Sequence, residues 1–145
     1  MCSSDLDKPP VWLDAGREFF LELMNDLRNE ASQHAILCHN TLFDGAILSW
    51  KYGIKPKAWL DTLSMARAIH GVDAGGSLKA LAQRYELGQK GEEVIHAIGK
   101  RRQDFDVVGI DRYGDYCCND VDITRRLFDR LSVGFPVGEI GRAHV

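Results

Sequence analysis

Tyr116 and Asp120 stand four residues apart in Tyr116-Cys117-Cys118-Asn119-Asp120. Residues at that spacing share one face of a helix. The surrounding stretch reads as a long helix from about Asp111 to Leu131, because Cys117, Val121, Phe128 and Leu131 recur at helical spacing. Arg125, Arg126 and Arg130 fall towards its C-terminal end, where the helix dipole favours cations. A phenol and a carboxylate one turn apart suit a tyrosine that aims a water molecule and an aspartate that holds a metal ion. They also suit a packed tyrosine and a solvated aspartate, and so short a pattern leaves that reading open. The chemistry requires a second carboxylate elsewhere.

Asp44 is placed to be that carboxylate. Ala35-Ile36-Leu37-Cys38 is short and continuously apolar, as in a parallel strand buried on both faces. His39-Asn40-Thr41-Leu42 forms the turn after it, and a helix follows from about Phe43 to Tyr52, ended by Gly53. Asp44 therefore lies just past the carboxyl end of a strand, where open α/β sheets carry their sites. Other elements frame this unit. Asp14 caps a helix that runs to about Ala31, with Phe20, Leu23, Met24, Leu27 and Ala31 as its apolar stripe. Ala58-Trp59-Leu60 reads as a second short strand. Asp61 caps a helix to His70 that Gly71 stops, and Ser77 caps another with Leu78, Leu81, Ala82 and Tyr85 on one face. Residues 87–106 are the least regular part. Strands joined by helices indicate an α/β fold, although only two strands are visible.

The chain has 145 residues, enough for one domain with a core, and its 45% hydrophobic and 27% charged content fits a globular protein. No apolar run reaches membrane-spanning length, so no membrane partner is expected, and no signal peptide is visible. The net charge of -3 means that any nucleic-acid contact must come from local basic patches. The four cysteines lack metal-type spacing and read as reduced, packed thiols. Met1-Cys2-Ser3-Ser4-Asp5-Leu6 reads as a translated sequencing adapter. Glu139-Ile140-Gly141-Arg142-Ala143-His144 reads as the same oligonucleotide reversed, continued by Val145. The expected organisation is thus an adapter-derived tail at 1–6, a partial domain at 7–138 and a second such tail at 139–145.

Taken in order, these residues resemble the 3′–5′ exonuclease domain of the DEDD superfamily, tyrosine subclass. The nearest likeness is the proofreading domain of phage and bacterial family A DNA polymerases. Asn40, Phe43 and Asp44 meet the second family motif, Asn-x-x-(Phe/Tyr)-Asp, and Tyr116 and Asp120 meet the third, Tyr-x-x-x-Asp. The histidine subclass would need a histidine where Asp115 stands. The likeness runs from about Asp14 to Leu131. It implies a ribonuclease H-like fold and hydrolysis of the 3′-terminal phosphodiester to nucleoside monophosphates. It also implies two Mg²⁺ or Mn²⁺ ions, the hard cations that carboxylates suit.

The resemblance further implies a role for each matched residue. Asp44 and Asp120 would hold the ions, and Tyr116 would orient the attacking water. Asn40 and Phe43 would meet the terminal nucleotide, with capping and packing as the plain alternatives. Independently of the resemblance, the basic residues Lys90, Lys100, Arg101 and Arg102 are candidates to contact phosphates, with a solvated basic loop as the plain alternative. His39 reads as structural, Asp61 as a cap rather than a ligand, and Trp12, Trp50 and Trp59 as core or edge residues. The implied partners are a single-stranded DNA 3′ end and the polymerase domain of a parent chain, in the cytoplasm of a bacterial or phage-infected cell.

The family's first motif, Asp-x-Glu on an opening strand, does not occur in these residues. Asp5-Leu6-Asp7 and Asp104-Phe105-Asp106 come nearest in form. N-terminal truncation is the expectation that accounts for both this gap and the shortage of strands. It leaves an incomplete ribonuclease H-like fold and an inactive bare chain. The competing readings are a ribonuclease D-like RNA exonuclease and a catalytically dead nucleic-acid-binding module.

Overall fold

A computed structural model describes residues 2–3, 8–13, 19–89, 91 and 98–135. The expected cap at Asp14, the basic residue Lys90 and the C-terminal tail lie outside them. The fold is mixed α/β with two small sheets. Strands β1 (Cys2–Ser3) and β2 (Val11–Trp12) pair antiparallel. Strands β3 (Ala35–Cys38) and β4 (Ala58–Asp61) pair parallel, with Cys38 opposite Asp61 at their carboxyl ends. A parallel pair needs a crossover, which here is a helix. It comprises α2 (Thr41–Ala46), continued by a π-helical turn over Ile47–Lys51. Around these lie α1 (Phe20–Glu30), α3 (Thr62–His70), α4 (Leu78–Arg84) and the long α5 (Val107–Ser132).

Most boundaries follow from local chemistry. The Asp61 side chain accepts the Leu63 N–H and starts α3, while Gly71, at φ 83°, ends it in a conformation that glycine tolerates without a Cβ clash. Ser77 accepts the Ala80 N–H and starts α4. Helix α5 begins earlier than its apolar spacing suggests, because Asp106 accepts the Gly109 N–H at 2.7 Å and caps it.

Two clusters form the core. Met65 and Ala66 of α3, Leu78, Leu81 and Ala82 of α4, Leu87, and Ile123, Leu127 and Leu131 of α5 make one. Phe20, Met24, Ala31, Leu48 and Ile54 make the other, with Ile36 and Trp59 packed against it. The buried stripe of α5 is thus Ile123, Leu127 and Leu131, whereas Cys117, Val121 and Phe128 are half-buried. Strand β3 is less covered than a two-faced buried strand, since Ala35 is exposed and only Cys38 is buried.

The first half of α5 meets the small antiparallel ladder. Trp12 lies directly on Gly114, where an added Cβ would sit 2.7 Å from two ring atoms. This contact explains a glycine inside a helix, where alanine is intrinsically better by about 0.5–1 kcal/mol. Gly114→Ala should therefore lower the melting temperature despite its better propensity, since overpacking costs about 1–3 kcal/mol. In a Trp12→Ala background the same change should raise it. An increase in both backgrounds, read by thermal unfolding, would place Trp12 away from Gly114.

Candidate active site

The carboxyl ends of β3 and β4 carry His39, Asn40 and Asp61. Asp61 is buried and both its oxygens are engaged. Oδ1 accepts the N–H groups of Asn40 and Leu63, each at 2.9 Å, and Oδ2 accepts the Ser64 hydroxyl at 3.0 Å. Asn40 adopts the left-handed conformation, φ 69° and ψ 66°, which asparagine tolerates better than most residues. Its carbonyl accepts the Phe43 N–H at 3.0 Å as α2 begins.

His39 ties the same corner to the loop before α4. Its Nε2 lies 3.0 Å from the Gly76 carbonyl and its Nδ1 2.9 Å from the Thr62 hydroxyl. A carbonyl only accepts, so Nε2 carries a proton. The Thr62 hydroxyl also reaches the Cys38 carbonyl at 3.3 Å. His39 is therefore structural, as its position suggests. Together with Asn40, Leu63, Arg67, Gly76, Ser77 and Leu78 it lines a groove of about 390 Å³. Arg67 is a cation on this groove that no motif pointed to; its exposed place in the last turn of α3 was the only available signal.

Asp44 projects from the first turn of α2 and is half-buried. Burial raises its pKa, and the nearby Asp61 carboxylate raises it further. The same surroundings push the Cys38 thiol up to about 12, burial first and then the charges of Asp44 and Asp61. Cys38 is consequently an unreactive packed thiol. Phe43, next to Asp44, is 66% exposed and so does not serve the core. Trp50 is 88% exposed and is not a core residue either. It falls within the π-helical turn, where the rotation per residue departs from that of an α-helix.

Tyr116 and Asp120 are half-buried on α5, which also lies against β3. A row of rings seats Tyr116. Its centroid is 5.9 Å from that of Tyr113, which in turn is 6.3 Å from Trp12 and 6.3 Å from Phe105. The Lys100 ammonium lies 5.5 Å over the Phe105 ring, bringing the basic loop to the end of this row. Arg101 and Arg102 are exposed beside it, and the Arg101 N–H donates to Asp104. Asp120 is not simply solvated: its Oδ1 is buried. Asp122 faces away and pairs with Arg125 at 3.1 Å and Arg126 at 3.5 Å. Arg126 and Asn119 fasten α5 to the segment after α4, through the carbonyls of Leu87 and Gln89.

The groups therefore fall into two sets. Asn40, Phe43, Asp44 and Asp61 gather at the strand ends. Tyr116, the ring row and the Lys100 loop gather along α5. Among the described residues, no three acidic, histidine or cysteine side chains form a cluster that could hold a metal ion. The Asp44 position nevertheless fits a hard cation as one anchor, because burial and the Asp61 charge disfavour its bare carboxylate and a cation would offset both. No described helix is long and apolar enough to cross a membrane.

Searches of curated proteins and of solved structures find no match to the chain. Against protein-family models, residues 14–134 match the 3′-5′ exonuclease domain of family A DNA polymerases. That family implies a ribonuclease H-like fold, divalent metals and a nucleic-acid substrate. The matched span contains Asn40, Phe43, Asp44, Tyr116 and Asp120, and it covers most of the 145 residues: the chain belongs to the 3′-5′ exonuclease family of the DNA polymerase A type.

Proposed function

We propose that residues 7–138 are part of a proofreading 3′–5′ exonuclease domain of a phage or bacterial DNA polymerase. It would remove the last nucleotide of single-stranded DNA as a nucleoside monophosphate. The observation that carries this reading is the family match over residues 14–134, which spans both motifs. Asp44 and Asp120 are the residues that would hold Mg²⁺ or Mn²⁺. When bound, such ions stabilise charge on the attacking and leaving oxygens. Tyr116 orients the water through its hydroxyl; a phenol titrating near pH 10 is a poor general base at neutral pH. Asn40 sits on the rim of the groove beside Arg67, where a terminal nucleotide has polar partners. Phe43 is free of the core and offers its ring to a base, as aromatic residues do in single-strand sites. Lys100, Arg101 and Arg102 would follow the phosphates past the Tyr116 row.

The partner domain is the polymerase of the parent chain, and the setting is the cytoplasm of a bacterial or phage-infected cell. The choice of DNA over RNA rests on Tyr-Cys-x-Asn-Asp-Val-x-x-Thr at 116–124. These 145 residues contain no Asp-x-Glu, so we expect the bare chain to lack turnover. Joined to a family strand that bears Asp-x-Glu, it should shorten a 5′-labelled DNA oligonucleotide with Mg²⁺ and release monophosphates. A gel assay with matched DNA and RNA strands decides between substrates. Preference for RNA would reassign the domain to RNA processing. No shortening of either strand by a folded, completed chain would leave a binding module.

A further inference from the structure

We propose that Asp61 is the positioning residue of this site, holding the backbone from which Asn40 and Asp44 project. The proposal rests on the exonuclease reading and adds a residue to it. Capping α3 requires one side-chain oxygen and one N–H, and Asp61 supplies these with the Leu63 bond. The bond from the Asn40 N–H to the same oxygen exceeds what capping needs. It crosses from β4 to the residue after β3, which the Cys38–Asp61 register places alongside. Asn40 occupies a left-handed conformation, which asparagine tolerates but which its neighbours must fix as the single backbone state. The hydrogen bond from its own N–H to the Asp61 side chain, 2.9 Å long, supplies that constraint. The Asn40 carbonyl then receives the Phe43 N–H, so the first turn of α2, and with it Asp44, inherits its direction from the same contact.

The carboxylate also has a cost. Asp61 is buried, 7% exposed, so its charge is held away from bulk water. A serine would cap α3 without that charge, yet its side chain is one bond too short to serve Asn40 as well. The presence of aspartate is thus explained by reach rather than by capping.

The test compares the 145-residue chain with its Asp61→Asn, Asp61→Ser and Asp61→Thr variants. Three quantities are read: melting temperature, hydrogen exchange at the Asn40 amide, and affinity for a 5′-fluorescein oligodeoxythymidylate by anisotropy. Asparagine keeps an oxygen for Asn40 and Leu63 and can donate to Ser64, so Asp61→Asn should match the parent in all three. Serine and threonine keep the cap but release Asn40. Either should melt close to the parent, exchange the Asn40 amide faster, and bind the oligonucleotide about fivefold more weakly, the scale of one lost hydrogen bond. Threonine suits the end of β4 and serves if the serine variant does not fold. Unchanged Asn40 exchange and affinity in the serine and threonine variants would reduce Asp61 to a cap and overturn the proposal. An asparagine variant as weak as the serine one would make charge, not geometry, the operative property and overturn it equally. A parent chain that shows no affinity for the oligonucleotide would instead overturn the nucleic-acid reading, while the exchange data still decide whether Asp61 holds Asn40.

Discussion

Replacing Asp44 or Asp120 with alanine in the completed domain is expected to lower 3′–5′ hydrolysis by more than about a hundredfold, because losing a partner one layer outside a metal already costs about 10–100-fold. The two carboxylates sit on different elements, one in α2 and one in α5, so neither can replace the other. The drop must be distinguished from unfolding, and the protonation behaviour of Asp44 supplies the control. Burial, and then Asp61, raise its folded pKa above the ordinary carboxylate value. A raised folded pKa contributes stability that is complete below the unfolded value and is lost as pH rises through the folded one. Above the ordinary aspartate range the metal-free protein therefore carries a stability cost at Asp44. Asp44→Asn removes that cost, so it should melt no lower than the parent at pH 7 and show a shallower fall in stability above the ordinary aspartate range. Activity is read on a 5′-labelled oligonucleotide and stability by thermal melts across pH. Parent-like rates in either alanine variant would end the assignment of that carboxylate.

The chain discloses its local structure more readily than its long-range contacts. Strand β3, the α3 cap at Asp61, the stop at Gly71 and the α4 cap at Ser77 are all visible in residue types, because each depends on neighbours within a few positions. The start of α5 is not visible. Val107 and Val108 are exposed β-branched residues, and Gly109 follows, so the helix looks delayed until the Asp106 cap is seen. Its buried stripe is misjudged for a related reason. The helix serves two surfaces, with Gly114 against Trp12 in its first half and Ile123, Leu127 and Leu131 against α3 and α4 in its second. A single apolar period drawn through Cys117 and Val121 averages the two. The β1–β2 ladder has two residues per strand and leaves no alternation to detect. Its pairs are Cys2 with Trp12 and Ser3 with Val11. At the site, the motif spacing singles out Asn40, Asp44, Tyr116 and Asp120 as candidates. The bond between Asp61 and Asn40 joins residues 21 positions apart, and only folding reveals it.

Tyr116→Phe should reduce hydrolysis by about tenfold to a hundredfold, less than either aspartate variant, since misplacing one reacting group costs on that order. The substitution removes one oxygen and keeps the ring. The ring is what the row of aromatic contacts holds: Tyr113 lies 5.9 Å away, and Trp12 and Phe105 flank Tyr113 in turn. Tertiary structure around α5 should therefore survive, with near-ultraviolet circular dichroism and melting temperature close to the parent. If the hydroxyl only orients water, its loss removes no proton carrier from the reaction. The rate-versus-pH curve of Tyr116→Phe should then run parallel to that of the parent between about pH 6 and pH 9. A change in the shape of that curve would instead make the hydroxyl a proton carrier. A fall as deep as that of Asp120→Ala would show that the hydroxyl does more than aim. Tyr116→Ala separates the remaining contribution. It empties the place of the ring beside Tyr113, so it should lose stability as well as activity, at a cost of about 3–5 kcal/mol at most for a half-buried aromatic residue. An alanine variant as stable as the phenylalanine one would mean that the ring row does not seat Tyr116, and the orienting role would lose its structural support.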